Sequence, residues 1–480
     1  MDTISQVIIS VLAGIVALLS AGHALILKRD PKAAIGWIVI CFLIPFVGPF
    51  LYYLFGINRV RTRAHKLRGR FNALHPAGTK DSGQYGPYAV AGIDVWGAYA
   101  ELVHVSDVIT NKPLVSGNQV EVLHNGEQAY PAMLEAIEGA QRSLLLTTYI
   151  FETNRSGRSF IDALCRAAER GVDVRIIIDG FGDFYSFPRA SRLLKKCGLR
   201  VAVFLPPRLI PPSLNVNLRN HRKILVADGR VGFTGGMNIG DRHLAERYDN
   251  SARVIDVHFR LKGPVVEQIE QVFMEDWGFL TGEYDGMLSA EGGATREGSA
   301  ICRVITEGPN EDMDKLAMIL IGAVSAARKS VTVMTPYFIP LRGLLSAFQA
   351  AALRGVQVSV ILPAKNNLSL VHWATRNMLW ELLKRGVHVY YQPPPFVHTK
   401  LVIVDECYLH IGSANIDPRS LRLNFELAVE VYDKGLAALL TTHVEHVRKL
   451  SQPVTLAAMD GRSLPERVRD SLAWLLSPYL

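Results

Sequence analysis

The pattern His-x-Lys-x-x-x-x-Asp occurs twice, as His221, Lys223, Asp228 and as His398, Lys400, Asp405. Each copy continues into a short apolar run, Ile224 to Val226 and Leu401 to Val404. At the same distance from its Asp, each then reaches a glycine turn ending in Asn, Gly235-Gly236-Met237-Asn238 and Gly412-Ser413-Ala414-Asn415. On a strand, positions two apart point to the same side, so His and Lys project together from one end while the run enters the core. A chain that repeats a unit of this length has to fold the unit twice.

The repeat extends upstream of the motifs. Helix over 132–140, strand over 143–151, helix over 159–170 and strand over 172–178 are expected in the first half. The order returns as helix 316–327, strand 331–339, helix 344–354 and strand 356–362. Landmarks coincide: Arg170-Gly171-Val172 with Arg354-Gly355-Val356, Thr148-Tyr149-Ile150 with Pro336-Tyr337-Phe338, and Lys196-Cys197-Gly198-Leu199 with Lys384-Arg385-Gly386-Val387. Strands alternating with helices of this length imply an α/β fold of two repeats, each with a mixed, largely parallel sheet flanked by helices, sharing one cleft. The repeats are placed at 111–295 (motif 216–243) and 296–480 (motif 393–420).

These residue types suit attack on a phosphodiester, which needs cationic or polar donors for the phosphoryl oxygens, a nucleophile, and an acid for the leaving alkoxide. Lys223, Lys400, Asn238 and Asn415 supply the donors, and the two histidines supply nucleophile and acid. No metal or other cofactor is needed. Asp256 and Glu426, each downstream of its motif, are candidates to orient a histidine, and a plain salt-bridge role is as compatible with the sequence. Asp228 and Asp405 lie beyond the apolar run, where pinning the motif loop is the simpler role. The two turns differ, Gly236 standing where the second copy has Ser413.

The paired motifs resemble those of the phospholipase D superfamily and, within it, the bacterial cardiolipin synthases. The resemblance implies that each half contributes one motif to a single site, with Asp228 and Asp405 counted in the catalytic set but supporting the fold. It further implies transfer of a phosphatidyl group from one phosphatidylglycerol to another, giving cardiolipin and glycerol through a phosphohistidine. The residues alone do not say which histidine attacks; similarity to members in which the N-terminal copy attacks assigns His221 as nucleophile and His398 as acid and base. A phospholipase D-type hydrolase, or transfer to another alcohol, is the alternative, because acceptor choice lies in pocket shape.

The N-terminus fits a lipid enzyme. Ile4 to Leu27 and Ala33 to Phe55 are two apolar runs long enough to span a bilayer, separated by Lys28-Arg29-Asp30-Pro31-Lys32. Together they read as a transmembrane hairpin over 1–58, with Pro45 and Pro49 either kinking the second run or making it partly re-entrant. Arg59, Arg61, Arg63, Lys66, Arg68 and Arg70 follow it, placing the body in the cytoplasm of a bacterial inner membrane. Of the formal charge of +8, this stretch carries six and residues 1–58 one, so the body is nearly neutral. A neutral body disfavours a nuclease or any nucleic-acid partner. A catalytically dead scaffold would be expected to lose a His or Lys, and all four are present.

Residues 59–110 read as a basic segment and linker, the irregular part running from about Asn72 to Val105. The five cysteines, 41, 165, 197, 302 and 407, are scattered, which fits a reducing compartment and argues against a zinc module or disulfide scaffold. His372 and His388 have no metal-ligand spacing. Pro206-Pro207, Pro211-Pro212 and Pro393-Pro394-Pro395 precede the motifs as loop stiffeners. The tail from Arg467, with Leu472, Trp474, Leu475, Leu476 and Tyr479, suits either a membrane surface or a helix packed on the body.

Overall fold

The computed structural model describes residues 3–28, 31–57, 88–90, 97–207, 218–246, 250, 252–283, 295–308 and 314–477. The basic cluster 59–70, most of the expected linker, Pro211-Pro212 and Tyr479 lie outside the described residues.

The expected repeat is built from elements close to those positions. In the first half the strands are β1 (Val115–His124), β2 (Ser143–Thr148), β3 (Asp173–Asp179), β4 (Arg200–Phe204), β5 (Ile224–Ala227), β6 (Val231–Gly235), β7 (Val254–Ile255) and β8 (Val257–Lys262). In the second they are β9 (Ala300–Glu307), β10 (Ser330–Met334), β11 (Gln357–Pro363), β12 (His388–Gln392), β13 (Phe396–Val397), β14 (Leu401–Val404), β15 (Tyr408–Gly412), β16 (Glu426–Tyr432) and β17 (Gln452–Val454). Helices Asn125–Gly139 and Arg155–Glu169 flank β2, as Lys315–Ala326 and Arg342–Leu353 flank β10. Asn154 caps the second of these helices, its side chain accepting from the Gly157 N–H.

Both halves join in one fifteen-stranded sheet, ordered β17-β12-β11-β10-β14-β15-β16-β9-β1-β8-β6-β5-β2-β3-β4. Read outward from the central β9–β1 pair, the two halves repeat the same order. The mixed sheet agrees with the α/β expectation, but its largely parallel character does not hold. Parallel pairing in this sheet is confined to β2-β3-β4 and β10-β11-β12; every other neighbour is antiparallel. The reason is local: β5 and β6, like β14 and β15, are joined by tight turns, and a tight turn can only return a strand antiparallel. One buried core lies on the outer face of each half, and a third is shared between them, where Phe259, Phe273, Leu427 and Phe425 meet.

Residues 97–110 pack on the body. Helix Ala100–Thr110 buries Leu102 and Val103 in the core of the second half. There the fully buried Arg303 binds Glu430 at 2.6 Å and Asp107 of that helix, and Ser106 donates to Glu430. The cysteine expectation also needs correction: Cys165, in helix Arg155–Glu169, and Cys197, which caps helix Ala190–Lys196, form a disulfide with Cα atoms 5.9 Å apart. Packing of the two helices supplies a proximity that the 32-residue spacing hides. Cys41, Cys302 and Cys407 are free and buried.

At the N-terminus, Thr3–Leu27 forms one 25-residue apolar helix, long enough to cross a bilayer. The second run is not one spanning helix. Pro31–Leu43 ends before Pro45, whose ring and missing N–H stop it, and Val47–Leu51 and a π-turn over Tyr52–Gly56 follow. Thirteen residues rise only about 20 Å, short of a hydrocarbon core of about 30 Å. The broken segment packs against the first helix, which buries Ala13, Ala17, Ala21 and Ala24 along one stripe, and His23 bonds the Tyr52 hydroxyl at 2.7 Å. Helix Leu464–Leu475 packs on helix Ser369–Leu383 through Ala473 and Asp470, the latter paired with Arg462. Its outer face exposes Leu464, Val468, Leu472 and Leu475.

Candidate active site

Each histidine stands in the extended segment just before its motif strand, and this segment is paired with the other half. The bridge of Asn220 with Phe425 runs parallel, and the His221 N–H donates to the Phe425 carbonyl at 2.9 Å. The second copy does the same: β13 pairs parallel with β7, and the His398 N–H donates to the Ile255 carbonyl at 2.8 Å. Phe425 and Ile255 directly precede Glu426 and Asp256. Each histidine is therefore delivered to the carboxylate of the opposite repeat. His221 Nδ1 lies 3.1 Å from Glu426 and His398 Nδ1 lies 2.8 Å from Asp256. Sequence order suggests own-half partners; the structure exchanges them.

An Nδ1–H donated to a carboxylate leaves Nε2 of each ring as the free base. Lys223 donates to the His221 carbonyl at 2.6 Å, and Lys400 to that of His398, so both ammonium groups are folded beside the rings. Tyr149 and Tyr337, equivalent in the repeat, flank the histidines with ring centroids 5.3 Å and 6.4 Å away. Arg222, pointing opposite to His221 and Lys223, bonds Asp276 at 2.6 Å and the Glu426 carbonyl at 3.1 Å, fixing the first motif to the second half. Asn238 accepts from the Ile150 N–H through Oδ1, which leaves its amide N–H₂ as donor. Asn415 is buried, and among the described residues its Oδ1 has no hydrogen-bond partner.

Burial of four cationic or basic groups in one site changes their protonation. Desolvation lowers Lys223 to about 7 and Lys400 to about 8, against the pull of Glu426 and Asp256. Desolvation also lowers both histidines, His398 further, because Lys400 and Lys223 add repulsion. The carboxylates differ. Burial raises Glu426, but His221, Lys223 and the Ser413 hydroxyl outweigh it and hold the group below its ordinary value. Asp256 is raised, burial outweighing Lys400 and His243.

The Gly236/Ser413 difference adds to this asymmetry, after the larger pull of His221 and Lys223 on Glu426. Ser413 Oγ donates to Glu426 at 2.5 Å and accepts from the Leu427 N–H. A Cβ at Gly236 would stand 2.5 Å from the Asp256 carboxylate, so the first turn admits no side chain there. Asp228 and Asp405 sit away from the histidines, at the far ends of β5 and β14. Asp228 accepts the backbone N–H groups of Gln141, Arg142 and Ser143; Asp405 accepts those of Arg328, Lys329 and Ser330 and the Tyr99 hydroxyl. Each ties the motif turn to the loop before β2 or β10. Of the residues sequence reasoning passed over, Tyr149 and Tyr337 had a signal in the matched landmarks, whereas Arg222 had none. His372 lies against Tyr391 and His388 is exposed on β12, neither at the site.

A family described as cardiolipin synthase, PLD-like domain, matches residues 133–277 and 320–448, and a phospholipase D-nuclease N-terminal family matches residues 14–56. The chain is 31% identical to the major cardiolipin synthase ClsA of Bacillus subtilis over 94% of this chain and 95% of that protein. It is 30% identical to cardiolipin synthase A of Pseudomonas putida, over 98% and 96% of the two chains. Among solved structures, phosphatidylserine synthase of Haemophilus influenzae aligns with a TM-score of 0.61 at 16% identity, covering 79% of this chain and all of that one, a likeness of fold.

Proposed function

Because the chain belongs to the cardiolipin synthase family of phospholipase D-like proteins, we propose that it transfers a phosphatidyl group from one phosphatidylglycerol to the terminal hydroxyl of a second, giving cardiolipin and glycerol. The observation that carries this is the exchanged pairing of His221 with Glu426 and His398 with Asp256, which makes one site out of two halves.

In the first step His221 Nε2 attacks phosphorus, the phosphorus–oxygen bond to glycerol breaks, and the proton that His398 takes up on Nε2 when the anionic phosphodiester binds goes to the departing oxygen. Lys223, Lys400 and the amides of Asn238 and Asn415 neutralise the phosphoryl oxygens. In the second step His398 takes the proton of the incoming hydroxyl, whose oxygen attacks phosphorus and displaces His221. The firmly ionised Glu426, supported by Ser413, favours His221 as nucleophile, since it stabilises the ring as it gains charge. The apolar N-terminal segments hold the enzyme at the bacterial inner membrane, with a cytoplasmic body and phospholipid as substrate.

The test is incubation of the purified protein with radiolabelled phosphatidylglycerol and chromatographic separation of products. Cardiolipin and glycerol are expected; phosphatidic acid alone would replace the transferase by a hydrolase. With His398→Ala and a donor whose leaving group needs no proton, mass spectrometry should find the adduct on His221. An adduct found on His398 in His221→Ala, with none on His221, would reverse the roles.

A further inference from the structure

The acceptor in the proposed reaction is itself a phosphodiester, so while its hydroxyl meets phosphorus a second phosphate must sit three carbons away. The paired lysines and asparagines serve the reacting phosphate, which leaves the second anion to be matched by other groups. Arg219, two residues before His221, is 4% exposed and stacks on Phe181 at 3.7 Å. Among the described residues, its Nη1 reaches only the Leu218 carbonyl, at 3.5 Å, and its Nη2 has no hydrogen-bond partner. Buried guanidinium groups are costly without polar partners. Asp179 is the carboxylate that faces it, but its oxygens already accept the N–H groups of Phe181, Gly182 and Asn220.

Arg419 of the other half lies close enough to repel Arg219, and both interact with Tyr149. Asp417 faces Arg419. Tyr149 is in turn 5.3 Å from the His221 ring and 6.4 Å from Tyr185, which is exposed. Tyr149 thus stands between the reacting histidine and solvent, and both arginines act on it electrostatically.

We infer that Arg219 and Arg419 form a second phosphodiester site, which holds the phosphate of the anionic acceptor lipid while its glycerol hydroxyl attacks the phosphatidyl-histidine. The inference rests on the transferase reading above and deepens it: the enzyme selects an acceptor that carries its own negative charge. A neutral alcohol, lacking that phosphate, gains nothing from the pair.

Two acceptors that share one donor step separate the possibilities. Full-length detergent-solubilised protein is given phosphatidylglycerol, and cardiolipin formation is measured beside incorporation of labelled glycerol into phosphatidylglycerol. In Arg219→Gln and in Arg419→Gln the ratio of cardiolipin to exchange should fall at least about tenfold, chiefly through a higher KM for the acceptor lipid, and Arg219→Lys should recover part of it. Inorganic phosphate at millimolar concentration should inhibit cardiolipin formation more than exchange if the site takes any phosphate, and both equally if it requires the lipid. An unchanged ratio in both Gln variants, whether the two rates fall together or neither falls, overturns the second site. A wild-type protein that exchanges glycerol but makes no cardiolipin overturns the function proposed above.

Discussion

Burial sets the pH at which the two lysines work. A lysine titrates ordinarily at about 10.4, whereas here desolvation brings Lys223 to about 7 and Lys400 to about 8. The lysine is useful to an anionic substrate as the cation, so each lowered value moves the loss of charge down in pH. For the free enzyme, kcat/KM should therefore decline as pH rises through 7 to 8. A bound phosphate restores the attraction that burial removed, so the decline in kcat belongs at higher pH. A kcat/KM that stays flat to pH 10 would contradict this. Glu426 offers a second test. Glu426→Gln keeps the shape but replaces the acceptor that fixes the His221 tautomer, and it disturbs the bond from Ser413. The rate of cardiolipin formation should fall by about 10²–10⁴-fold, the range of a disabled acid–base group; an unchanged rate would remove Glu426 from the site.

At the scale of elements, the Asp at the end of each motif strand holds a turn rather than a substrate. Asp228 and Asp405 adopt φ of 54° and 50°, a region that Asn tolerates, and each gathers three successive backbone N–H groups. Asp228→Asn preserves the turn and weakens those bonds. It should cost about 1–3 kcal/mol of stability, read as a lower Tm, while the folded variant keeps kcat near wild type. A full loss of kcat at unchanged Tm would return Asp228 to the chemistry. The same pinning explains why the repeat is so regular: β5 is locked to β2 and β14 to β10 at both ends, so the His-Lys segment is presented at the same height in each half.

For the whole molecule, the N-terminus has one helix of spanning length and a broken second segment, and the proposed cytoplasmic placement of the body is open to labelling. A cysteine introduced on the exposed surface of the body, for example at Glu246, should resist membrane-impermeant labelling in intact cells and react after lysis. Labelling of the body from outside, before lysis, would invert the topology. The sequence by itself determined the duplicated unit, the helix-strand-helix-strand run that opens each half, the motif strands, and the candidate His, Lys and Asn residues, because each of these follows from local spacing and apolar periodicity. Only the tertiary structure decided that the sheet is continuous through an antiparallel β1–β9 pair, that Cys165 meets Cys197, that proline breaks the second apolar run, and that each histidine takes its carboxylate from the opposite repeat. Glu426 is 205 residues from His221. No local pattern encodes that pairing, since it arises from two similar halves packing face to face, where the strand before each carboxylate runs beside the other half's motif.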